Sequence, residues 1–237
     1  MIRKLVKIIL VSLILFGVAS ITIYSIYNEP LPTGKSGPQA DALAQKMLKS
    51  VNAGAFEDTR YLEWTFRNGR HAYKWDRTLD KVKVSWDDIT VNLMLTNPKK
   101  SFVFKKQKIA KNDKQREKSI EKAIKLFNND SFWLVAPFKV FDEGVERSMV
   151  ELEDGTNGLL VTYTSGGSTP GDSYLWRLQP NGFPESFKMW VHIIPIGGLE
   201  ATWDDWQITQ SGAFLPKTHM IGPLKLDMGK VKGFNSH

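Results

Sequence analysis

The chain has 237 residues, of which 42% are hydrophobic and 24% charged, so it can form one large domain or two small ones. It contains no cysteine, which excludes disulfides, iron–sulfur clusters, thiol catalysis and a lipid-modified N-terminal cysteine. The formal net charge is +7, and because the N-terminal segment holds three basic residues and no acid, the rest of the chain carries 29 minus 25, or +4, which is mild and does not indicate a nucleic-acid partner.

The N-terminal segment carries an uncharged apolar run at residues 8–27, preceded by Arg3, Lys4 and Lys7. A run of this length predicts a helix that crosses a bilayer, and the preceding basic residues favour export of the rest of the chain. Small residues at 17–20 also fit a signal-peptide cleavage site, although the apolar run continues past them. We expect residues 1–28 to be a signal-anchor, with a cleaved signal peptide as the alternative. The domain would then lie in the cell envelope, anchored to the inner membrane and facing the periplasm, or free in the periplasm after cleavage.

Residues 29–38 contain three prolines and two glycines, which predicts a short linker. Pro38 then opens a predicted helix that ends near Gly54, because apolar residues recur at helical spacing between them. We expect everything from residue 39 to 237 to form a single β-rich domain.

The first half of this domain predicts a meander of antiparallel strands. The first two runs are joined by Arg67-Asn68-Gly69-Arg70, and Asn-Gly between aromatic runs is a strong hairpin signal. The predicted strands are 60–66, 71–75, 81–86, 89–95 and 101–105. After them, the charged stretch Asp113 to Phe127 predicts a surface helix, and the apolar residues 131–140 predict a deeply packed segment.

The second half returns to β-structure, with glycine-rich turns between short apolar runs. The predicted strands are 148–153, 159–164, 173–179, 187–194, 199–208 and 215–221. The fold class is therefore mainly β within α+β: a strongly curved antiparallel sheet, or incomplete β-barrel, of about eleven strands with covering helices. Many strands are apolar on both faces, so helices cover one face or the sheet encloses a space. That space is either filled core or a ligand cavity.

Residues suited to catalysis or metal binding form no recognisable pattern. The four histidines show neither HxH nor HExxH spacing, and no GxSxG motif is present. The acidic pairs at 87–88 and 204–205 fit turns and strand ends, because neighbouring strand residues point to opposite faces. The glycine-rich loop 165–172 leads into a predicted strand rather than a helix, so we interpret it as a shaped turn. We predict no catalytic residue, no metal and no cofactor.

Eight tryptophans are spread along most of the predicted strands. Buried tryptophans normally belong to a core, but inside a curved sheet they also suit the lining of an apolar pocket for an acyl chain. We therefore predict a set of aromatic residues that face a ligand. The set is Trp64, Phe66, Trp86, Phe104, Trp176 and Trp190.

The phrases Tyr61–Phe66, Tyr73–Asp76 and Asn129–Phe138, in this order of elements, resemble the outer-membrane lipoprotein-sorting proteins, the LolA/LolB-like group. The Trp-Asp phrase at 75–76 and the segment Gly166–Asp172 also resemble phrases in uncharacterised envelope proteins of Bacteroidetes-type bacteria. The resemblance implies an incomplete barrel closed by helices around an apolar cavity that holds lipid chains. The chain departs from that pattern because it lacks the lipidation cysteine of the outer-membrane acceptor and because its N-terminal run predicts an anchor.

We therefore expect a non-catalytic envelope protein that binds a lipid or lipoprotein acyl chain and contacts a bacterial membrane through its N-terminal segment. One alternative is an envelope hydrolase acting on glycans or esters, in which some of His192, Asp204, Asp172 and Ser173 converge. The other is an interaction protein with a filled core.

Overall fold

The computed structural model describes residues 2–110, 112–166 and 169–236 of a mixed α+β chain. Gly167 and Ser168, in the loop predicted to be a shaped turn, lie outside the described residues. The four α-helices are α1 Ile2–Tyr27, α2 Pro38–Ser50, α3 Ala53–Asp58 and α4 Asp113–Val135, and two 3-10 helices cover Pro98–Lys100 and Ala136–Lys139.

Sixteen strands lie within the described residues. They are β1 Tyr61–Phe66, β2 His71–Asp76, β3 Lys81–Trp86, β4 Ile89–Met94, β5 Phe102–Lys105, β6 Lys108–Ile109, β7 Val145–Glu151, β8 Asn157–Tyr163, β9 Ser173–Leu178, β10 Pro184–Trp190, β11 Leu199–Thr202, β12 Gln207–Ile208, β13 Phe214–Leu215, β14 Thr218–Ile221, β15 Leu224–Asp227 and β16 Lys232–Phe234.

The strands form several separate antiparallel sheets. The first sheet has seven strands in the order β16-β1-β2-β3-β4-β5-β6, and the second has five in the order β11-β10-β9-β8-β7. Strands β12 with β13, and β14 with β15, form two small hairpins. The prediction of antiparallel α+β structure is confirmed. The prediction of one strongly curved sheet or incomplete barrel is not confirmed, and among the described residues no sheet closes on itself.

Most strand boundaries in the first sheet follow the predicted runs, including the hairpin at Asn68-Gly69, where both residues have positive φ. Differences concentrate in the second half. Strand β10 ends at Trp190 instead of 194, and the run predicted as one strand over 199–208 is split into β11 and β12. The split occurs beside Asp205, whose φ of 52° takes the backbone out of the extended region.

Helix α4 is longer than its sequence pattern predicts. Asn112 caps it by accepting a hydrogen bond from Gln115 N at 2.9 Å, and the helix runs on past Phe127 to Val135. The polar residues 128–130 do not end it, because Asp130 faces the first sheet and accepts hydrogen bonds there. A tertiary contact thus outweighs the local preference of Asn and Asp for turns.

Each large sheet has one face covered by helices and filled with apolar side chains. The first half of α4 places Ile120, Ala123 and Phe127 against the first sheet. Helix α2 places Ala44 and Met47 against the second sheet, and the end of α4 with the following 3-10 helix packs there too. The two sheets therefore share α4 but pack separate cores.

The N-terminal helix α1 covers the predicted apolar run. Within residues 2–110, 112–166 and 169–236, however, no helix combines the length and the apolar character that spanning a bilayer requires, so the predicted transmembrane helix is not confirmed. The predicted linker 29–38 lies against the second sheet, since Lys35 and Met149 exchange two backbone hydrogen bonds of 2.9 Å.

Candidate ligand-binding cleft

The six aromatic residues predicted to line a ligand cavity are distributed over separate parts of the molecule. Trp64, Phe66 and Trp86 come together, but as buried members of the core beneath the first sheet, and Trp176 is buried in the core of the second. Phe104 is half-buried on β5, and Trp190 donates its indole N–H to the Glu29 carbonyl at 2.8 Å. The four buried residues therefore contribute mainly to the stability of the two cores. The six predicted residues do not surround one space.

A cleft of about 470 Å³ crosses the opposite, uncovered face of the first sheet. Strand register explains which side chains meet there, because residues directly opposite each other on paired strands share a face. Two adjacent cross-strand rows form the cleft, one of Phe234, Tyr61, Asp76, Lys81 and Met94, the other of Lys232, Glu63, Lys74, Lys83, Asn92 and Phe102.

The two ends of the cleft are apolar. At one end the rings of Tyr61 and Phe234 stack with centroids 5.2 Å apart. At the other end, Met94 and Phe102 lie on neighbouring strands, and 60% of the Phe102 surface is exposed. Exposure of a phenylalanine at the edge of a cleft leaves apolar area for a ligand to cover.

The middle of the cleft is charged, with an excess of cations. Asp76 accepts two hydrogen bonds from Arg60, at 3.2 and 3.0 Å, and this pairing holds the pKa of Asp76 below its ordinary value. Burial disfavours the Glu63 carboxylate, yet hydrogen bonds from Lys74 and Lys232 outweigh burial and lower the pKa of Glu63.

Lys81 and Lys83 lie in the same part of the cleft on neighbouring rows. Neither forms a salt bridge with any residue in the described part of the chain. Lys83 lies directly opposite Lys74 on β2, and Lys74 is paired with Glu63 at 2.8 Å, so Glu63 is engaged by other lysines and Lys83 has no ion-pair partner. The cleft thus combines two available positive charges with apolar walls.

Sequence reasoning missed this cleft because polar residues on the outward face of a strand are normally solvated. The signal that was present is the alternation of Lys81 and Lys83 with buried valines, followed two strands later by an outward-facing phenylalanine at 102. Only the register shows that these positions are neighbours.

A buried carboxylate, Asp130 on α4, fastens that helix to the first sheet. Its Oδ2 accepts hydrogen bonds from the Tyr73 hydroxyl at 2.5 Å and from His71 Nδ1 at 2.6 Å. Burial, with the neighbouring carboxylate, raises the pKa of Tyr73 far above its ordinary value, so the phenol remains a donor. We assign this group a structural role, because Asp130 and Tyr73 are both buried.

Of the four residues considered for a hydrolase, the structure brings only two together. His192 Nδ1 lies 2.9 Å from Asp172 Oδ1, with Asp172 buried and His192 exposed. Ser173 is buried and its hydroxyl lies 2.9 Å from Thr162 Oγ1, facing away from solvent. Asp204 is bonded instead to the Thr202 hydroxyl on β11. The four groups therefore do not form a catalytic triad.

Asp172 accepts hydrogen bonds from the His192 backbone N–H at 2.9 Å and the His192 ring, in the loop after β10, and from the Thr169 hydroxyl, in the loop before β9. We expect Asp172→Ala to lower the free energy of unfolding by about 1.5 kcal/mol, because the partly buried donors of His192 and Thr169 lose their acceptor. Urea unfolding followed by tryptophan fluorescence measures this. Glu153→Ala, at an exposed site, serves as the control, and an equal effect in both variants would contradict the assignment.

A smaller cleft of about 250 Å³ lies beside α3. Arg77 fills one side of it, with its guanidinium 4.1 Å from the Phe56 ring centre and an Nη1 hydrogen bond of 2.7 Å to the Thr59 carbonyl. These contacts give Arg77 a structural role. The cleft on the first sheet is therefore the stronger candidate for a ligand-binding site.

No known protein family, curated protein or solved structure matches the chain. The resemblance to lipoprotein-sorting proteins stays a prediction, and the geometry of the cleft is the basis on which a function is inferred.

Proposed function

We propose that this protein binds an anionic amphiphile, a negatively charged head group with an apolar chain, in the cleft on the open face of the first sheet. The observation that carries the proposal is the placement of Lys81 and Lys83 between apolar cleft ends that include the exposed Phe102. The protein would act by holding the ligand, without catalysis. This function keeps the expected lipid or lipoprotein acyl chain as the ligand and moves its site from the sheet interior to the sheet surface.

The size and chemistry of the cleft suit such a ligand. Its volume of about 470 Å³ lies in the range of small-molecule sites, typically about 300–1,000 Å³. Each methylene that leaves water for an apolar wall contributes about 0.8 kcal/mol, so a few methylenes against Met94 and Phe102 supply useful affinity. A carboxylate or phosphate head between Lys81 and Lys83 would give an ion-pair partner to two ammonium groups that have none among the described residues.

The proposed place of action is the cell envelope, with the N-terminal helix as the segment that directs the chain to a bacterial membrane or associates with it. The exposed side chains of that helix support this placement, because Leu13, Ile14 and Leu15 are exposed by 62%, 60% and 64%. No nucleic acid is part of the proposal.

Binding of oleate, measured by displacement of a fluorescent fatty acid, tests the function. We expect Lys81→Glu with Lys83→Glu to weaken oleate binding at least about tenfold, since each lysine near an anionic surface is worth about 1 kcal/mol. Lys114→Glu with Lys118→Glu, on the exposed side of α4, makes the same change of charge away from the cleft and should leave binding intact.

The apolar part of the site has its own matched pair of variants. Phe102→Ser should weaken oleate binding about fivefold. Leu224→Ser is the control, because Leu224 is exposed by 57% and Phe102 by 60%, and it should leave oleate binding unchanged. A neutral ligand with the same chain, monooleoylglycerol, should respond to Phe102→Ser but not to the lysine changes. Absence of oleate binding by the unaltered protein, or equal losses in the test and control variants, would overturn the proposal.

The filled cores favour a second candidate, an interaction protein whose uncovered sheet face binds another protein. A photo-crosslinking residue at position 102 would distinguish the two candidates in envelope extracts. Crosslinks to one defined protein that persist in the presence of excess oleate would favour the second candidate over the first.

A further inference from the structure

The loop between β10 and β11, residues 191–198, presents one apolar side chain fully outward. Ile193 is 70% exposed, while its neighbour Ile194 packs against the core of the second sheet. An isoleucine held outward by an anchored neighbour is a fixed apolar projection, because the loop cannot turn it inward without losing the packing of Ile194.

This loop is fastened to the end of helix α1. The Gly197 N–H donates to Asn28 Oδ1 at 2.8 Å, the Glu29 N–H donates to the Gly197 carbonyl at 3.0 Å, and Trp190 Nε1 donates to the Glu29 carbonyl. Lys188 adds an ion pair with Glu29 at 2.7 Å. The last turn of α1 and the loop are therefore connected through residues 28 and 29.

The contact depends on two glycines in the loop. A Cβ at Gly197 would lie 2.5 Å from Trp190 and 2.7 Å from the Glu29 carbonyl, and one at Gly198 would lie 2.6 Å from the Glu29 Cβ. Gly198 also has a φ of 80°, which other residues rarely adopt. The local sequence is thus suited to a close approach between the loop and the chain that leaves α1.

The partner of this surface follows from α1 itself. The side chains of Tyr24, Ile26 and Tyr27, in its last turns, are all exposed beside the residues that bind the loop. Tyrosine and tryptophan at the boundary of an apolar segment are typical of the interface between lipid and water. Because Gly197 is hydrogen-bonded to residues 28 and 29, a surface that covers the end of α1 also reaches this loop, and a lipid surface covers an apolar helix from several sides at once.

We propose that the loop carrying Ile193 is a lipid-contact site that enters the membrane interface next to the end of α1. This inference rests on the proposed membrane association of the N-terminal helix. Contact at two places, the helix and the loop, would fix the orientation of the domain relative to the membrane, as one flexible connection would not.

The absence of cysteine from the chain allows a site-specific test in the full-length protein. Ile193→Cys and Ile208→Cys, at side chains exposed by 70% and 67%, each receive an environment-sensitive NBD fluorophore. The labelled proteins are mixed with vesicles of phosphatidylethanolamine and phosphatidylglycerol, and flotation measures association independently of the label. Nitroxide-bearing lipids and aqueous iodide then report where each label lies.

We expect both labelled proteins to float with the vesicles. The label at 193 should shift its emission to the blue and be quenched by nitroxide lipid, whereas the label at 208 should remain accessible to iodide. Flotation with a water-exposed label at 193 would overturn the loop contact and leave membrane association standing. Failure to float would overturn both, and a blue shift at 193 without vesicles would indicate a second copy of the chain as the partner instead.

Discussion

Replacement of Trp176 by alanine is expected to lower the free energy of unfolding by about 4 kcal/mol, the largest effect of any single change considered. Trp176 is fully buried on the central strand of the second sheet. Its ring contacts Phe187 edge-on at 5.0 Å between centroids and Trp203 at 4.9 Å. Truncation removes a large apolar side chain and leaves a cavity that these rings cannot refill. Urea unfolding monitored by far-UV circular dichroism measures the loss.

The same variant distinguishes a core tryptophan from a ligand-lining one. If Trp176 belongs to the core, Trp176→Ala lowers stability and the folded fraction binds oleate normally. Phe102→Ser should behave in the opposite way. Because the Phe102 side chain is exposed, its loss should change the free energy of unfolding by no more than about 0.5 kcal/mol while weakening oleate binding. An unchanged unfolding midpoint together with lost oleate binding in Trp176→Ala would restore the interior cavity expected from the sequence.

Acidification from pH 7 to about 4 is expected to cost about 3 kcal/mol of stability through one residue, His219. Burial lowers the pKa of His219 to about 4 from an ordinary 6.5, against the opposing effect of the hydrogen bond between its Nδ1 and the Thr202 carbonyl at 2.9 Å. The unfolded chain therefore binds the proton more readily, and stability rises with pH between these two values. The contribution is complete above pH 6.5 and is lost as the pH falls towards 4.

Urea unfolding at half-unit intervals between pH 7.5 and 4.5 checks this dependence. His219→Asn keeps a donor for the Thr202 carbonyl but cannot titrate, so its stability should be lower at pH 7 and nearly flat across the interval. Carboxylates with lowered pKa, such as Asp154 at about 2, lose their contribution below the interval and do not interfere. If the free energy of unfolding of His219→Asn falls with pH as steeply as that of the unaltered protein, the acid sensitivity belongs to other groups.

Local pattern was a reliable guide where one face of a strand is buried. Strands β1 and β3 alternate in sequence and in burial, and the hairpin at Asn68-Gly69 formed where its turn residues predict it. The pattern failed where a distant contact changed the local outcome. Helix α4 passes through residues 128–130 because Asp130 finds two partners on β2, 57 and 59 positions earlier in the chain.

The aromatic residues also show where the local pattern was sufficient and where distant contacts decided the outcome. Their types marked them correctly as large apolar side chains in strands, but side-chain type alone does not distinguish a core from a pocket. Trp64 and Trp176 became core because α4 and α2 fill the space opposite them. Strand β16, which the sequence pattern did not predict, brings Phe234 beside Tyr61 and so completes one end of the cleft.

The sequence by itself determined the apolar N-terminal segment, the antiparallel strand-rich character and the position of most turns, because these depend on composition and on neighbours a few residues apart. Only the tertiary structure decided that the strands divide between separate sheets, that the sheet interiors are filled, and that Lys81, Lys83 and Phe102 share one cleft. Those outcomes depend on register and on helix packing across long stretches of chain, and such contacts leave no local pattern in the order of the residues.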